Sequence, residues 1–251
     1  MSKNIQDNMS EEKGKLILVS TPIGNLEDIT YRAIRVLKEA DYIVCEDTRT
    51  TNNLLKHYNI TNSDGSNKSL LIFHANSSPK EISRIISFLE EGKTLAYVSD
   101  AGTPTISDPG VLLVNKIREI NSALEHGEQI IIDIAPGVSA AVSAYSLSGA
   151  SGNSFVFKGF MPHKKGRETM IKDILESEIT SIVYESVHRI EKMLSQFVAL
   201  EKELNIKKEY VICRELTKIY QEVITGSSEY CLDYFSKNQD KIRGEFVVVI
   251  K

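Results

Sequence analysis

Five short apolar runs punctuate the first 135 residues, and each ends in a turn-forming segment followed by a helical pattern. They are Leu16-Ile-Leu-Val-Ser20, Tyr42-Ile-Val-Cys45, Leu70–Phe73, Thr94–Val98 and Gln129–Ile134. Between them, Ile29, Ala33, Val36, Leu37 and Ala40 recur at helical spacing, with Asp28 or Thr30 as N-cap. A short helix is expected near Thr50–Tyr58, and Ser78-Pro79-Lys80-Glu81 reads as a capping box with proline in the first turn. Ile82, Ile85, Ile86 and Leu89 then share one face before Gly92 stops the helix, and a further helix covers Val111–Glu119. The polar stretch Thr61–Ser69 reads as a mobile surface loop. Strands that alternate with helices in this way predict an open, mostly parallel sheet.

After Ala135-Pro-Gly-Val-Ser139 the rhythm changes. A helix over Val138–Leu147 leads to a strand at Phe155–Gly159, then a helix, a strand at Ser181–Glu185 and another helix. The runs Tyr210–Glu215 and Tyr220–Thr225 lie close together, and Glu245–Ile250 ends the pattern after one more helix. Closely spaced strands predict a mixed or antiparallel sheet. The reading is therefore two α/β domains, 14–134 and 135–251, after a frayed start at 1–13, with no internal repeat.

Thirty Lys and Arg against 34 Asp and Glu leave a net charge of −4, which disfavours a non-specific nucleic-acid coating protein but allows a local basic patch. Cys45, Cys213 and Cys231 are scattered, so neither a disulfide framework nor a zinc ribbon is expected. No apolar run approaches the ~20 residues of a spanning helix, and the polar start lacks a signal-peptide core. A cytoplasmic protein is expected, with no membrane partner.

The common nucleotide loops are missing: there is no G-x-x-x-x-G-K-[ST] and no G-x-G-x-x-G after the first strand, which counts against a nucleotide-dependent dehydrogenase. His57, His74, His126, His163 and His188 are isolated in sequence, so no metal site is expected. Gly, Pro and Asp instead collect after strands, at Thr21–Asn25, Glu46–Arg49, Asp100–Gly110 and Ala135–Ser139. In open α/β sheets ligands bind beyond the carboxyl ends of the strands. These loops carry Glu46, Asp47, Asp100 and Asp108 more than lysine, which suits a neutral or cationic ligand better than a polyphosphate. S-adenosylmethionine, a sulfonium, is such a ligand.

In order and wording these loops resemble the tetrapyrrole-methylase superfamily. The closest resemblance is to the ribosomal RNA small subunit methyltransferase I family, which methylates a cytidine 2′-hydroxyl in 16S rRNA. The resemblance rests on Ser20-Thr-Pro-Ile-Gly-Asn-Leu26, Cys45-Glu-Asp-Thr-Arg49, Ser99-Asp-Ala-Gly-Thr-Pro104 with Ser107-Asp-Pro-Gly110, and Pro136-Gly-Val-Ser-Ala140. Lys158-Gly-Phe160, Tyr184-Glu-Ser186 with His188-Arg189, Arg214-Glu-Leu-Thr-Lys218 and Gly244-Glu-Phe246 extend it over about residues 15–250. Val138 stands where the family's loop more often has proline, which alters stiffness but not the backbone donors.

The resemblance implies a two-domain tetrapyrrole-methylase-like fold, S-adenosylmethionine in a cleft between the domains, and a homodimer. It carries a cofactor role onto Pro22, Ala101, Gly102, Thr103, Ile106, Ser139, Ala140, Glu185 and Leu216. A ribose hydroxyl needs a base to take its proton, and Asp100 is the first candidate, with Glu46, Asp47 and Glu185 as others. Arg49 and Lys218 could hold phosphate or orient a carboxylate. Each candidate also has a structural reading: Asp100 as a turn or cap residue, Asp47 with Arg49 as an ion pair, Arg214 with Glu215 as a cross-strand pair. Contacts to 16S rRNA in the small ribosomal subunit are expected from Lys164, Lys165 and Arg167, and secondarily from Lys202, Lys207 and Lys208. The alternatives are a precorrin-type tetrapyrrole methyltransferase on the same scaffold and a cofactor-binding or ribosome-associated module without turnover.

Overall fold

The first strand, β1 (Lys15–Val19), sits inside a five-stranded sheet because both of its faces are apolar. It runs parallel to β4 (Thr94–Val98) on one side and β5 (Ile131–Ala135) on the other. With β2 (Tyr42–Cys45) and β3 (Leu70–Ile72) the sheet has the order β3-β2-β4-β1-β5, and every pairing is parallel. This computed structural model describes residues 13–125 and 127–251; the expected fraying of 1–12 and the reading of His126 lie outside them.

The period of two along each strand sorts the core into two layers. Ile17, Val19, Ile43, Cys45, Ala96 and Val98 pack against α1 (Tyr31–Glu39) and α2 (Thr48–His57). Leu16, Leu18, Val44, Leu95 and Tyr97 pack on the other side against α3 (Pro79–Glu90) and α4 (Gly110–Asn121). The N-caps explain where these helices begin. Thr30, rather than Asp28, accepts from the Ala33 N–H at α1, and Ser78 and Glu81 form the expected reciprocal box at α3.

The 61–69 stretch is a largely exposed surface loop, and it is tied down near its end, where Lys68 is buried and its ammonium donates to the Lys38 and Ala40 carbonyls at 2.5 and 2.8 Å. It thereby satisfies carbonyls at the end of α1 that the helix itself leaves unpaired. Asn62 closes the preceding turn on Ser66 and Asn67.

The second unit is built on a mixed sheet, β6-β7-β10-β8-β9, formed by β6 (Phe155–Phe160), β7 (Thr180–Ser186), β8 (Tyr210–Arg214), β9 (Glu222–Gly226) and β10 (Glu245–Ile250). Only β6 and β7 are parallel; the other pairs are antiparallel. Val183, Tyr210, Ile212, Phe246, Val248 and Ile250 meet α6 (Arg167–Glu176), α7 (Ile190–Leu204) and α8 (Ser228–Lys237). The opposite face, with Ile182, Val211, Cys213, Val247 and Val249, meets Ala141 and Ala144 of α5 (Ala140–Ser148).

The chain divides between Gly137 and Val138, three residues beyond the expected start of the second domain, and Pro22–Glu27 counts with the second unit. That grouping follows from packing, since Ile23 is buried in the α5-side cluster and the Asn25 N–H donates to Thr217 Oγ1 at 3.1 Å. Cys45, Cys213 and Cys231 are all buried, and burial raises each thiol, Cys213 to about 11 and Cys231 to about 12.

Gly14, just before β1, is pressed against α3 closely enough that an added Cβ would lie 1.9 Å from the Leu89 carbonyl oxygen. Because the obstacle is backbone, a side-chain rotation cannot relieve it. Gly14→Ala is expected to cost about 2–3 kcal/mol, read as a lower urea midpoint with unchanged slope.

Candidate active-site loops

In the first unit the strand register lines up the residues that leave the sheet. Val19 pairs with Val98, Cys45 with Val98, and Val19 with Ala135. Ser20, Glu46, Ser99 and Pro136 therefore emerge side by side from four adjacent carboxyl ends, the edge where open α/β sheets bind ligands. The structure brings together here Glu46, Asp47, Arg49, Asp100, Ala101, Gly102, Thr103 and Ile106.

Loop 99–110 is held in place by backbone and by Asp108. Thr21 and Gly102 exchange a pair of backbone hydrogen bonds at 3.0 Å, and Ser20 Oγ lies 3.2 Å from Thr103 Oγ1. Asp108 accepts from the Thr105 and Gly110 N–H groups at 2.6 and 2.9 Å and from the buried Tyr97 hydroxyl at 2.9 Å. Those ties hold Thr105 at φ 70°, an unfavourable angle for a branched residue. Tyr97 was not among the sequence candidates; its place on the strand before the loop was the only signal. Ala101 and Ile106 stay exposed on the finished loop.

The carboxylates of this edge differ in their electrostatics. Glu46 is raised to about 7, by burial first and then by the charges of Asp100 and Asp108. Asp100 is raised as well: loss of part of its hydration outweighs the backbone N–H it accepts from Asp47, and the Asp47 charge adds to the rise. Asp47 goes the other way, to about 2, because it accepts from the Arg49 side chain and backbone. It is the N-cap of α2, and Arg49 pairs with it at 2.8 Å while leaving most of its own side chain in solvent. Asp47 is thus a weak proton acceptor, whereas Glu46 and Asp100 are tuned upward.

In the second unit, Ser139 is the N-cap residue of α5 and Ala140 its first residue. Ala140 and the buried Leu216 belong to the α5-side cluster with Ile23, the neighbour of Pro22. Three distant motifs lock together around Leu216. Lys218 bridges Glu215 and Glu245 at 2.8 Å each, and an added Cβ at Gly24 would lie 2.4 Å from the Lys218 side chain. Gly244, at φ 78°, leaves room for the Glu215 carboxylate where a Cβ would sit at 2.0 Å. Lys218 is therefore spent on carboxylates. Arg214 pairs with Glu222 at 3.3 Å across to β9, not with Glu215.

Two expectations are corrected in this unit. Glu185 follows Tyr184 on β7, so the pleat turns its side chain away from the face that holds Ala140 and Leu216, leaving it no part as a proton acceptor beside them. Its buried carboxylate pairs with Arg167 at 2.9 Å and Arg189 at 2.8 Å. Arg167 is consequently buried and unavailable to an RNA phosphate, while Lys164 and Lys165 beside it are exposed. Among the described residues no group of three or more His, Cys, Asp or Glu is arranged to hold a metal ion.

The raised Glu46 predicts a pH-dependent stability. Its folded pKa of about 7 lies above its ordinary 4.5, so the folded state holds the proton more tightly and stability falls as pH rises through that window. Glu46→Gln is expected to be more stable than the parent at pH 8 by about 1 kcal/mol, the shift being reduced by solvent screening. The advantage should vanish below pH ~4.5 in denaturant titrations.

Comparison with known proteins agrees with this architecture. The family model of Tetrapyrrole (Corrin/Porphyrin) Methylases matches residues 15–230. The Ribosomal RNA small subunit methyltransferase I of Thermotoga maritima is 41% identical over 237 residues, covering 94% of this chain and 98% of that protein. The protein of the same name from Hydrogenobaculum sp. is 40% identical, covering 94% and 95%. Among solved structures, the methyltransferase CobJ superposes with a TM-score of 0.62 at 18% identity, covering 95% of this chain and 94% of that one. Uroporphyrin-III-C-methyltransferase from Thermus thermophilus gives 0.59 at 17%, with the same coverage, and these two likenesses concern the fold alone. With its parallel sheet, its mixed second sheet and close relatives matched over nearly their whole length, the chain belongs to the tetrapyrrole methylases, in the ribosomal RNA small subunit methyltransferase I family.

Proposed function

We propose that this protein transfers a methyl group from S-adenosylmethionine to the ribose 2′-hydroxyl of a cytidine in the 16S rRNA of the small ribosomal subunit. The observation that carries the reading is the juxtaposition of Glu46 and Asp100 at the carboxyl edge of the parallel sheet, where loop 99–110 leaves Ala101 and Ile106 exposed. Their environment suits a cationic donor: Glu46 feels the negative charges of Asp100 and Asp108, and residues 99–110 contain no lysine or arginine. In this reading Ala101, Gly102, Thr103 and Ile106, and on the second unit Pro22, Ser139, Ala140 and Leu216, hold the donor through backbone and apolar contact. Glu185 would contribute only through its backbone. When bound, the sulfonium supplies an activated methyl group with a good leaving group.

The chain's own work is then alignment and proton removal. Burial and the Asp100 charge raise Glu46, and a proton acceptor near pH 7 suits a ribose hydroxyl better than the strongly acidic Asp47. The Arg49 guanidinium is held by Asp47 through Nε and Nη2 but stays largely in solvent, and its remaining N–H groups would meet a phosphate. Lys164 and Lys165, exposed after β6, would contact the RNA backbone. A homodimer fits the apolar side chains left on two sheet edges, Ile131 and Ile134 on β5 and Phe155 and Val156 on β6. No helix of the described residues is long and apolar enough to cross a membrane, and an rRNA substrate would place the enzyme in the cytoplasm.

The direct test supplies labelled S-adenosylmethionine and unmodified small subunits, then maps the label by nuclease digestion. Label at one 2′-O-methylcytidine is the expected result; label absent from subunits and 16S rRNA but present on a precorrin would overturn the substrate assignment. Asp100→Asn and Glu46→Gln are each expected to lower the single-turnover rate by about 100-fold with cofactor bound. In Asp100→Asn the residual pH–rate profile should move to lower pH, since a negative neighbour of Glu46 is gone. Full rates in both variants would remove the pair from the mechanism. Lys164→Ala/Lys165→Ala should weaken RNA binding and reduce its salt slope by about 1–2 while leaving cofactor affinity intact.

A further inference from the structure

The side chains that bury Glu185 all lead to one turn of the chain. Arg167 pairs with Glu185 Oε2 at 2.9 Å, and its other Nη donates to the Pro162 carbonyl at 2.9 Å. Arg189 pairs with Oε1 at 2.8 Å and donates to the Met161 carbonyl at 2.9 Å. The set is closed by Arg167 Nε on Gln196 Oε1 at 2.7 Å, the Ser186 N–H on Glu185 at 2.8 Å, and Arg189 Nε on Ser186 Oγ at 3.1 Å.

Two guanidiniums and one carboxylate are an expensive way to fill a core, since apolar side chains of like volume would commonly be as stable or more so. What the arrangement does supply is direction. Met161 and Pro162 lead into the turn, and Arg167 leads out of it as the first residue of α6. Both ends of the segment 161–167 are therefore tied to a single carboxylate on β7. The Arg167 N–H adds a bond back to the Lys164 carbonyl at 3.2 Å. At the crest, His163, Lys164 and Lys165 are exposed, and neither lysine joins an ion pair among the described residues.

We propose that Glu185, Arg167 and Arg189 are positioning residues that hold this turn in one conformation, so that Lys164 and Lys165 meet RNA phosphates as a fixed pair of charges. The inference rests on the reading of those lysines as RNA contacts. A held backbone removes part of the ordering cost that flexible lysines would otherwise carry into binding.

The test uses the full chain, unmodified small subunits over a range of salt concentrations, and limited trypsin digestion. Arg189→Lys keeps the charge but lacks the fork that reaches carboxylate and carbonyl together. Glu185→Gln removes a negative charge, so charge alone would tighten RNA binding, whereas loss of positioning would weaken it. Both variants are expected to bind about tenfold more weakly with little change in salt slope, and to be cleaved faster after Lys164 and Lys165. Thermal melting checks that each is folded; should Glu185→Gln fail to fold, Arg189→Lys carries the test. Tighter binding by Glu185→Gln would overturn the proposal, as would RNA binding that stays at the parental level in a folded Arg189→Lys, whether or not cleavage accelerates. Parental RNA affinity in Lys164→Ala/Lys165→Ala would instead overturn the contact reading itself.

Discussion

The candidate chemistry depends on the register of four parallel strands. Because Val19, Cys45, Val98 and Ala135 pair at one level, the residues after them leave the sheet together. A slip of one residue in β2 would turn Ile43 and Cys45 from the α1 and α2 layer toward the other, exchanging both cores at once. The same register sets Glu46 and Asp100 in neighbouring loops, where partial burial first and nearby carboxylates second raise both, so the acid–base character of the edge follows from strand pairing.

The second unit uses the pleat differently. On β7, Ile182 and Tyr184 face the α5 side while Val183 and Glu185 face α6 and α7. One strand thus separates an apolar surface beside Leu216 and Ala140 from a charged clamp under the 161–166 turn. The interlock of Gly24, Lys218, Glu215 and Gly244 acts at a third place, holding Glu215 and Thr217 at φ 51° and 66°. Such angles persist only where surrounding bonds over-determine them.

Much of this was legible in the sequence. Apolar period and caps gave the alternation of strands and helices, with ends within a few residues; β5 runs Ile131–Ala135 where Gln129–Ile134 was expected, and α2 begins at Thr48, two residues early, because Asp47 caps it. The loops at the strand ends were legible because glycine, proline and aspartate mark turns whatever the tertiary context. What stayed hidden was partner choice over long separations. Nothing local tells that Lys68 folds back on Lys38 and Ala40, or that Arg167 serves Glu185 rather than solvent beside two lysines that do face it. A run such as His163-Lys-Lys-Gly-Arg167 reads as one basic patch, yet a helix start at its last residue carries that arginine inward.

The placement of the three thiols gives the protein internal reporters. Cys45 lies on β2 of the first unit, Cys213 and Cys231 on β8 and α8 of the second, and all are buried and shifted away from thiolate. Alkylation at neutral pH therefore waits on local opening, and the site of modification names the unit that opened. Pulsed labelling during denaturation would separate the unfolding of the parallel sheet from that of the mixed sheet without any introduced probe.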